Sequence, residues 1–237
     1  MNLARFCEND MIQSKEEYRF YLEADRTALG FDRRRPRLFQ DEVWKFERLL
    51  RATEYVENCK KDLLHKIYLY YLRFRLHSLS LKLGFAIPRN AFGPGLSIAH
   101  YGPIIVNSGV EVGSNCRIHH CVTIGTKAGT DRSAPRIGNN VFIGPGAVIV
   151  NPIRIADDIA IGANSYVGKS FEEPGITVAG IPARKVSSKG SRLNESRFAQ
   201  ILQKYNDLKA ENRDVRGCSN ELTTILRAAR SRDLIKY

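Results

Sequence analysis

Branched aliphatic residues recur at every sixth position through the middle of this chain. They form two runs separated by one longer interval: Val106, Val112, Ile118 and Ile124, then Ile137, Ile143, Ile149, Ile155, Ile161 and Val167. A period of six fits neither an α-helix nor an ordinary alternating strand. It is typical of a parallel β-solenoid of short strands, in which three hexads make one triangular coil.

A second set of residues holds the same period. A small or β-branched residue stands four positions after most members of the first set: Val110, Cys116, Val122, Val141, Ala147, Ile153, Ile159 and Ser165. Glycine directly follows many of the aliphatic residues and suits the turn at each corner. We therefore expect the aliphatic residues to fill the interior of a solenoid.

Two insertions interrupt the period, and both contain polar residues. Thirteen residues separate Ile124 from Ile137, and the extra residues are polar, basic and glycine-containing. A smaller insertion between Ile98 and Val106 carries the sequence His-Tyr-Gly-Pro at 100–103. Insertions in solenoids map to loops that often form the binding face, so both segments are candidate parts of a site.

Helical patterns flank the solenoid on both sides. The capping-box pattern at Ser14 predicts a helix to about Leu29, and apolar spacing predicts further helices over 40–58 and 61–83. Beyond a linker at 187–191, helices are expected at 198–208 and 221–235. The predicted organisation is a helical domain over 1–84, a solenoid over 85–186 and a helical tail over 187–237.

The third helix is crowded with Leu, Tyr and Phe, and basic residues lie between them. Such a helix can lie on a membrane surface. It can also pack on neighbouring helices and on other subunits, which is the interpretation that we favour. Membrane association is therefore not expected.

Three stretches of the solenoid, 96–125, 144–147 and 179–184, resemble the left-handed β-helix acyltransferases, and among them the serine acetyltransferase family. The resemblance covers roughly residues 87–186 and the preceding helical segment. It implies a mainly β fold, a left-handed parallel β-helix of hexapeptide repeats, preceded by an α-helical domain and followed by C-terminal helices. It also implies an acetyl-CoA-dependent O-acetyltransferase that works as a homotrimer, with a dimer of trimers as the alternative.

Transfer of acetyl from a thioester to a hydroxyl needs a base near the hydroxyl, and histidine is the usual base near neutral pH. Of the five histidines, His100 lies in the segment that resembles the catalytic histidine segment of the family. We expect His100 to be the general base. His119 and His120 should point outward, and we assign His120, Tyr101 and Arg132 to the acceptor site.

The sequence departs from the serine acetyltransferase pattern where the acceptor should bind. Ala99 replaces the aspartate before the catalytic histidine, and Phe85 replaces the aspartate that orients it. Ser133 and Ala134 stand where the family has a histidine after the arginine. Because an ammonium group left without a carboxylate is costly to bury, we expect the serine pocket to be remodelled. Resemblance to sequences that share the Ile-Ala-His-Tyr-Gly stretch at 98–102 implies a sugar of surface polysaccharide synthesis as the acceptor. L-serine of cysteine biosynthesis is the alternative.

The resemblance also indicates where acetyl-CoA should bind. The family holds coenzyme A between adjacent subunits, with its pantetheine arm along the coil. The corresponding positions here are Thr126, Pro145, Gly146, Ala163, Asn164 and Gly180. The side chains of Lys169, Arg184 and Lys185 could meet the phosphates.

Two other classes of protein are alternatives for a chain with this solenoid. The string Ile118-His119-His120-Cys121 resembles a zinc-ligand segment of γ-carbonic anhydrases, but the preceding ligand would fall on Ser114, and a catalytic zinc needs three protein ligands. A non-catalytic scaffold is the other alternative. We expect no metal.

The composition of the chain indicates what kind of partner it binds and in which cellular compartment it works. With 37 Lys and Arg against 25 Asp and Glu, the net charge is +12, which suits an anionic partner. Coenzyme A is sufficient, and no standard nucleic-acid motif is present. The five scattered cysteines and the lack of a signal peptide or long apolar run favour a reduced, cytoplasmic location.

Overall fold

The computed structural model describes residues 11–126 and 134–195. Arg132, most of the long insertion and the predicted C-terminal helices lie outside the described residues. Within the described residues, the element order is three α-helices, fourteen short β-strands and a short 3-10 helix at Arg192–Glu195.

The three helices begin and end close to the residues that the sequence predicts. They are α1 (Lys15–Ala28), α2 (Glu42–Cys59) and α3 (Leu63–Leu83). Ser14 caps α1 by accepting a hydrogen bond from the Glu17 backbone N–H at 3.0 Å, as its capping-box position predicts. Gly84 ends α3 with φ of 78°, a conformation that glycine adopts without steric cost.

The strands form a three-sided parallel β-helix. They are β1 (Phe85–Ala86), β2 (Ser97–Ile98), β3 (Ile104–Val106), β4 (Glu111–Val112), β5 (Arg117–Ile118), β6 (Val122–Gly125), β7 (Arg136–Ile137), β8 (Phe142–Ile143), β9 (Val148–Val150), β10 (Arg154–Ile155), β11 (Ala160–Ile161), β12 (Tyr166–Val167), β13 (Thr177–Gly180) and β14 (Ala183–Ser187). The three sheets run β1-β3-β6-β9-β12, β10-β7-β4 and β14-β13-β11-β8-β5-β2. All pairings are parallel except the final β13–β14 hairpin.

The hexad prediction is confirmed residue by residue. Every aliphatic residue of the two runs is at most 6% exposed, and every member of the second set, including Ser165, is at most 5% exposed. The long interval leaves the coil in register, since Val112 pairs with Ile137 across β4 and β7. The extra residues are therefore an insertion at a corner.

The open end of the solenoid is covered by α1 and α2, and buried charged groups make the contact. Arg51 is fully buried and donates to the carbonyl oxygens of Phe92 and Gly93 at 2.8 and 2.7 Å. Its guanidinium also pairs with Asp25 and Glu54 at 2.8 and 3.0 Å. Side chains thereby satisfy backbone groups that a further coil would otherwise bond.

The third helix buries only a narrow stripe. Leu72, Leu76 and Leu83 are its buried residues. Its exposed large apolar side chains are Leu63, Leu64, Ile67, Tyr68, Tyr70, Tyr71, Phe74 and Leu81. Among the described residues, no helix has the length and apolarity needed to cross a membrane.

Candidate active site

Most of the predicted site positions lie at one corner of the β-helix. The register aligns Ile98, Ile118, Ile143 and Ile161 with Val178 across β2, β5, β8, β11 and β13. The residues two positions later therefore follow one another along that edge: His100, His120, Pro145, Ala163 and Gly180. We call this set the corner column. Adjacent strands lie about 4.8 Å apart, so it extends over roughly 19 Å.

Backbone hydrogen bonds hold successive members of the corner column together. Gly146 donates its N–H to the carbonyl oxygen of His120 at 3.1 Å, and Asn164 donates to that of Pro145 at 2.8 Å. Gly146 and Asn164 both have positive φ, 73° and 53°. The result is a rigid edge of exposed or half-buried turns with histidine at one end.

Three imidazole rings cluster at the His100 end of the column. The ring centroid of His100 lies 5.8 Å from that of His119 and 6.0 Å from that of His120. His100 is exposed and the other two are half-buried. The neighbouring Tyr101 side chain is 75% exposed, so His100 and Tyr101 are open to an incoming molecule.

The surroundings of one ring in this cluster, that of His119, favour its neutral form. Burial lowers the pKa of His119, and the charges of Arg117, His100 and His120 lower it further. The Nδ1 atom of His120 is buried and has no hydrogen-bond partner among the described residues.

A glycine makes the close approach of these residues possible. Gly102 has φ of 129°, and a Cβ at this position would lie 3.2 Å from the Cβ of His120. Its N–H donates to the Leu83 carbonyl oxygen at the end of α3. Gly102 thus ties the loop that carries His100 to the helical region and leaves room for His120.

Other predicted acetyl-CoA contacts lie elsewhere on the chain. Thr126 stands two positions after Ile124 of β6, and Lys169 stands two positions after Val167 of β12. Because these strands belong to one sheet, both residues lie at a second corner. Arg184 and Lys185 are exposed on β14, where the Lys185 Nζ pairs with Glu173 at 2.6 Å. The structure therefore divides the predicted cofactor residues between two corners and the last strand.

The two departures from the family pattern are visible in the structure. Ala99 is half-buried and brings no carboxylate beside His100. Phe85 is buried with its ring 5.0 Å from that of Phe46, edge to face. No hydrogen bond to the His100 ring is found among the described residues.

The described residues contain no group of three or more His, Cys, Asp or Glu side chains arranged to hold a metal ion. Ser114, where a zinc ligand would be needed, is buried at a corner. Cys116 is buried and burial raises the pKa of its thiol to about 12.

Sequence reasoning assigned no role to the charged residues of α2. Glu47, Arg51 and Glu54 follow the i, i+4, i+7 spacing of one helix face, and all three are at most 1% exposed. Three charged residues on one helix face, close in sequence to the apolar Phe46 and Leu50, are the signal from which their burial could have been predicted.

Comparison with known proteins agrees with this architecture. Residues 134–169 match the family described as bacterial transferase hexapeptide (six repeats). The parallel β-helix and this match together define a hexapeptide-repeat transferase of the left-handed β-helix class.

Individual relatives narrow the class. The chain is 32% identical over 127 residues to the serine acetyltransferase of Helicobacter pylori strain J99, covering 52% of this chain and 74% of that protein. A crystal structure of serine acetyltransferase from Brucella abortus strain S19 superposes with a TM-score of 0.56 at 30% identity, covering 74% of this chain and 71% of that one. The chain belongs to the serine acetyltransferase-like family.

The match to other relatives is shorter. The chain covers 43% of the Mycobacterium tuberculosis serine acetyltransferase, at 33% identity over 42% of its own length. It thus spans less than half of the length of this relative.

A second Brucella abortus structure, the serine acetyltransferase in complex with coenzyme A, has a TM-score of 0.59 at 27% identity and covers 75% of this chain and 70% of that one.

Proposed function

We propose that this protein is an acetyl-CoA-dependent O-acetyltransferase with His100 as its general base. The corner column carries the proposal, because it joins an exposed histidine to a straight edge of small turn residues. The names of the relatives, and the coenzyme A complex of one of them, support the same activity.

The proposed reaction needs one base and no covalent intermediate on the protein. A ring nitrogen of His100 takes the proton of the acceptor hydroxyl while that oxygen attacks the thioester carbonyl. The tetrahedral intermediate collapses with cleavage of the carbon–sulfur bond, and the imidazolium returns the proton to the departing thiolate. A backbone N–H near the corner is the expected donor to the oxyanion.

The donor site is proposed to run along the corner column. Its roughly 19 Å length suits an extended pantetheine arm, which can bond to backbone groups beside Gly146, Ala163 and Asn164. Lys169, Arg184 and Lys185 are the candidate partners of the phosphates. In a homotrimer, Thr126 and Lys169 at the second corner of one subunit would face the corner column of the next, which would place the cofactor between subunits.

The acceptor has two candidates. The relatives favour L-serine, since they are serine acetyltransferases. A sugar hydroxyl is favoured by one observation, the absence of a carboxylate at Ala99, because an amino acid brings an ammonium group that needs a partner. Tyr101, His120 and Arg132 are the proposed acceptor contacts in either case.

Release of free thiol from acetyl-CoA tests the proposal. The purified chain would be supplied with L-serine or with a panel of sugars and nucleotide sugars. Turnover with serine would mean that other groups hold its ammonium group, whereas turnover with a sugar alone would favour a role in polysaccharide modification. No acceptor-dependent release, together with no thermal shift in saturating acetyl-CoA, would contradict the proposed activity.

Assembly follows from the same proposal. We propose a homotrimer, with the exposed apolar face of α3 available to pair two trimers. A cytoplasmic location would give the enzyme its donor.

A further inference from the structure

The strand that precedes His100 lies at the open edge of its sheet. In the six-stranded sheet, β2 is the terminal strand. The N–H groups of Ser97 and Ala99 donate to Cys116 and Ile118, on the side of the following coil. Since alternate N–H groups of a strand point to opposite sides, the N–H of Ile98 points away from the sheet, where no strand lies.

Glu47 of α2 occupies that position. Its Oε1 accepts the Ile98 N–H at 2.9 Å. The side chain comes from another domain element, 51 positions earlier in the chain, and the residue is fully buried. Burying an N–H group without an acceptor costs free energy. This hydrogen bond therefore fixes the position of Ile98 relative to α2.

The loop that carries His100 is therefore anchored on both sides. Ile98 bonds to Glu47, Ala99 bonds to Ile118, and Gly102 bonds to the Leu83 carbonyl oxygen. The ring of His100 makes no hydrogen bond among the described residues, and Phe85 has no group that could bond to it. The place of the imidazole is thus set through its backbone.

We infer that Glu47 is a positioning residue for His100, acting through the Ile98 N–H. This inference rests on the proposed function for its catalytic consequence. From the helical cap, Glu47 holds the strand from which the His100 side chain extends.

The chemical state of Glu47 suits this role. Its Oε2 is buried and has no hydrogen-bond partner among the described residues. Burial raises the pKa of Glu47 well above its usual value, and the nearby charge of Asp25 raises it further. A neutral carboxyl still offers its carbonyl oxygen to Ile98, so glutamine should perform the same task.

Glu54 provides a matched control. It lies two turns further along α2, is equally buried, and accepts the N–H of Asn90 at 2.7 Å. Asn90 is ten positions before His100. Removal of either glutamate should destabilise the cap, but only removal of Glu47 should displace the base.

The experiment compares Glu47→Gln, Glu47→Leu and Glu54→Leu by steady-state kinetics well below their melting temperatures. Glu47→Leu should lower kcat by about tenfold to a hundredfold, because a displacement of about 1 Å costs this much in a positioned site. Its KM for acetyl-CoA should change less than about threefold, since the corner column beyond His120 is untouched. Glu47→Gln and Glu54→Leu should keep kcat within about threefold of the wild-type value.

Amide hydrogen exchange at Ile98 gives a readout that does not depend on activity. Exchange should be faster in Glu47→Leu and near the wild-type rate in Glu47→Gln and Glu54→Leu. If the wild-type chain proves inactive with every acceptor, the proposed function fails, and the exchange rates still decide whether Glu47 holds the strand.

Three results would overturn the inference. One is wild-type kcat in Glu47→Leu. Another is slow exchange at Ile98 in that variant. The third is a loss of kcat in Glu54→Leu as large as in Glu47→Leu. It would mean that Glu47 stabilises the helical cap without positioning His100 specifically.

Discussion

At the scale of single residues, the proposed chemistry depends on His100 and the rings beside it. Its place at the end of the corner column distinguishes it from His65 and His77, which lie on α3. The half-buried His119 and His120 are close enough to affect its surroundings. Two predictions belong at this scale.

Replacement of His100 by alanine should lower kcat by about 10² to 10⁴-fold, because the acceptor hydroxyl then keeps its proton until attack. Thiol release from acetyl-CoA measures the change, and a thermal shift with coenzyme A checks that the donor still binds. His77→Ala, an exposed change on α3, is the control and should behave as wild type. Substantial turnover by His100→Ala would refute its role as the base.

His119 should make the protein less stable in mild acid. Its pKa is lowered in the folded chain, so the unfolded chain takes up a proton first as pH falls below about 6.5. The unfolded state then binds more protons than the folded state, and the free energy of unfolding falls with pH in that window. The melting temperature of His119→Gln should therefore drop less than that of the wild type between about pH 7.5 and about pH 5.5.

The control for this comparison is His77→Gln, which should show the wild-type pH dependence. An equal drop in His119→Gln and wild type would mean that His119 contributes nothing to the acid sensitivity.

At the scale of elements, the contact between α2 and the first coil is the junction on which the site depends. The hydrophobic part of this contact includes Phe46 and Leu50, which join the core cluster of the solenoid. The polar part is the buried network of Arg51 with Asp25 and Glu54. Such a network contributes to specific docking only when every member is paired.

Replacement of Arg51 by methionine should cost about 3–5 kcal/mol in the free energy of unfolding, since it leaves buried carboxylates and two carbonyl groups without their donor. Urea denaturation measures this. The control is Arg73→Met, which removes the ion pair between Glu57 and the 40% exposed side chain of Arg73. This change should lower the free energy of unfolding by less than about 1 kcal/mol. Similar losses in both variants would show that burial of the Arg51 network does not matter.

At the scale of the whole molecule, α3 has an apolar face that the other described residues of the chain leave exposed. An exposed apolar patch of this kind marks an interaction site more often than a free surface. The packing of α3 on other subunits remains a prediction; within residues 11–126 and 134–195, most of the helix is exposed.

The double variant Ile67→Glu and Phe74→Glu should abolish the pairing of trimers and leave the trimer itself. These side chains are 62% and 68% exposed on α3, and a buried carboxylate without a partner is costly. Light scattering after size exclusion should give three times the 26.8 kDa chain mass for the variant and six times for the wild type. The control is Leu38→Glu, on the connection between α1 and α2, which should keep the wild-type mass. If the wild-type protein itself has the mass of a single trimer, the proposed pairing of trimers is contradicted.

The solenoid and the helices could be predicted from the sequence because their signals are local and repeated. Each interior residue from Val106 to Val167 faces inward as the six-residue period predicts, and Ser14 and Gly84 bound their helices. Residues at a fixed spacing share a face in any such coil, so the pattern determines burial without knowledge of distant contacts.

Only the tertiary structure decided which residues meet across the domains. Glu47 contacts Ile98 and Asp25 contacts Leu96, pairs separated by 51 and 71 positions. No periodicity links such positions, because the contact depends on how α1 and α2 dock onto the first coil. Likewise, the division of the predicted cofactor residues between two corners and the last strand follows from the strand register. The sequence thus determined the solenoid and its candidate base, whereas long-range packing decided what holds that base in place.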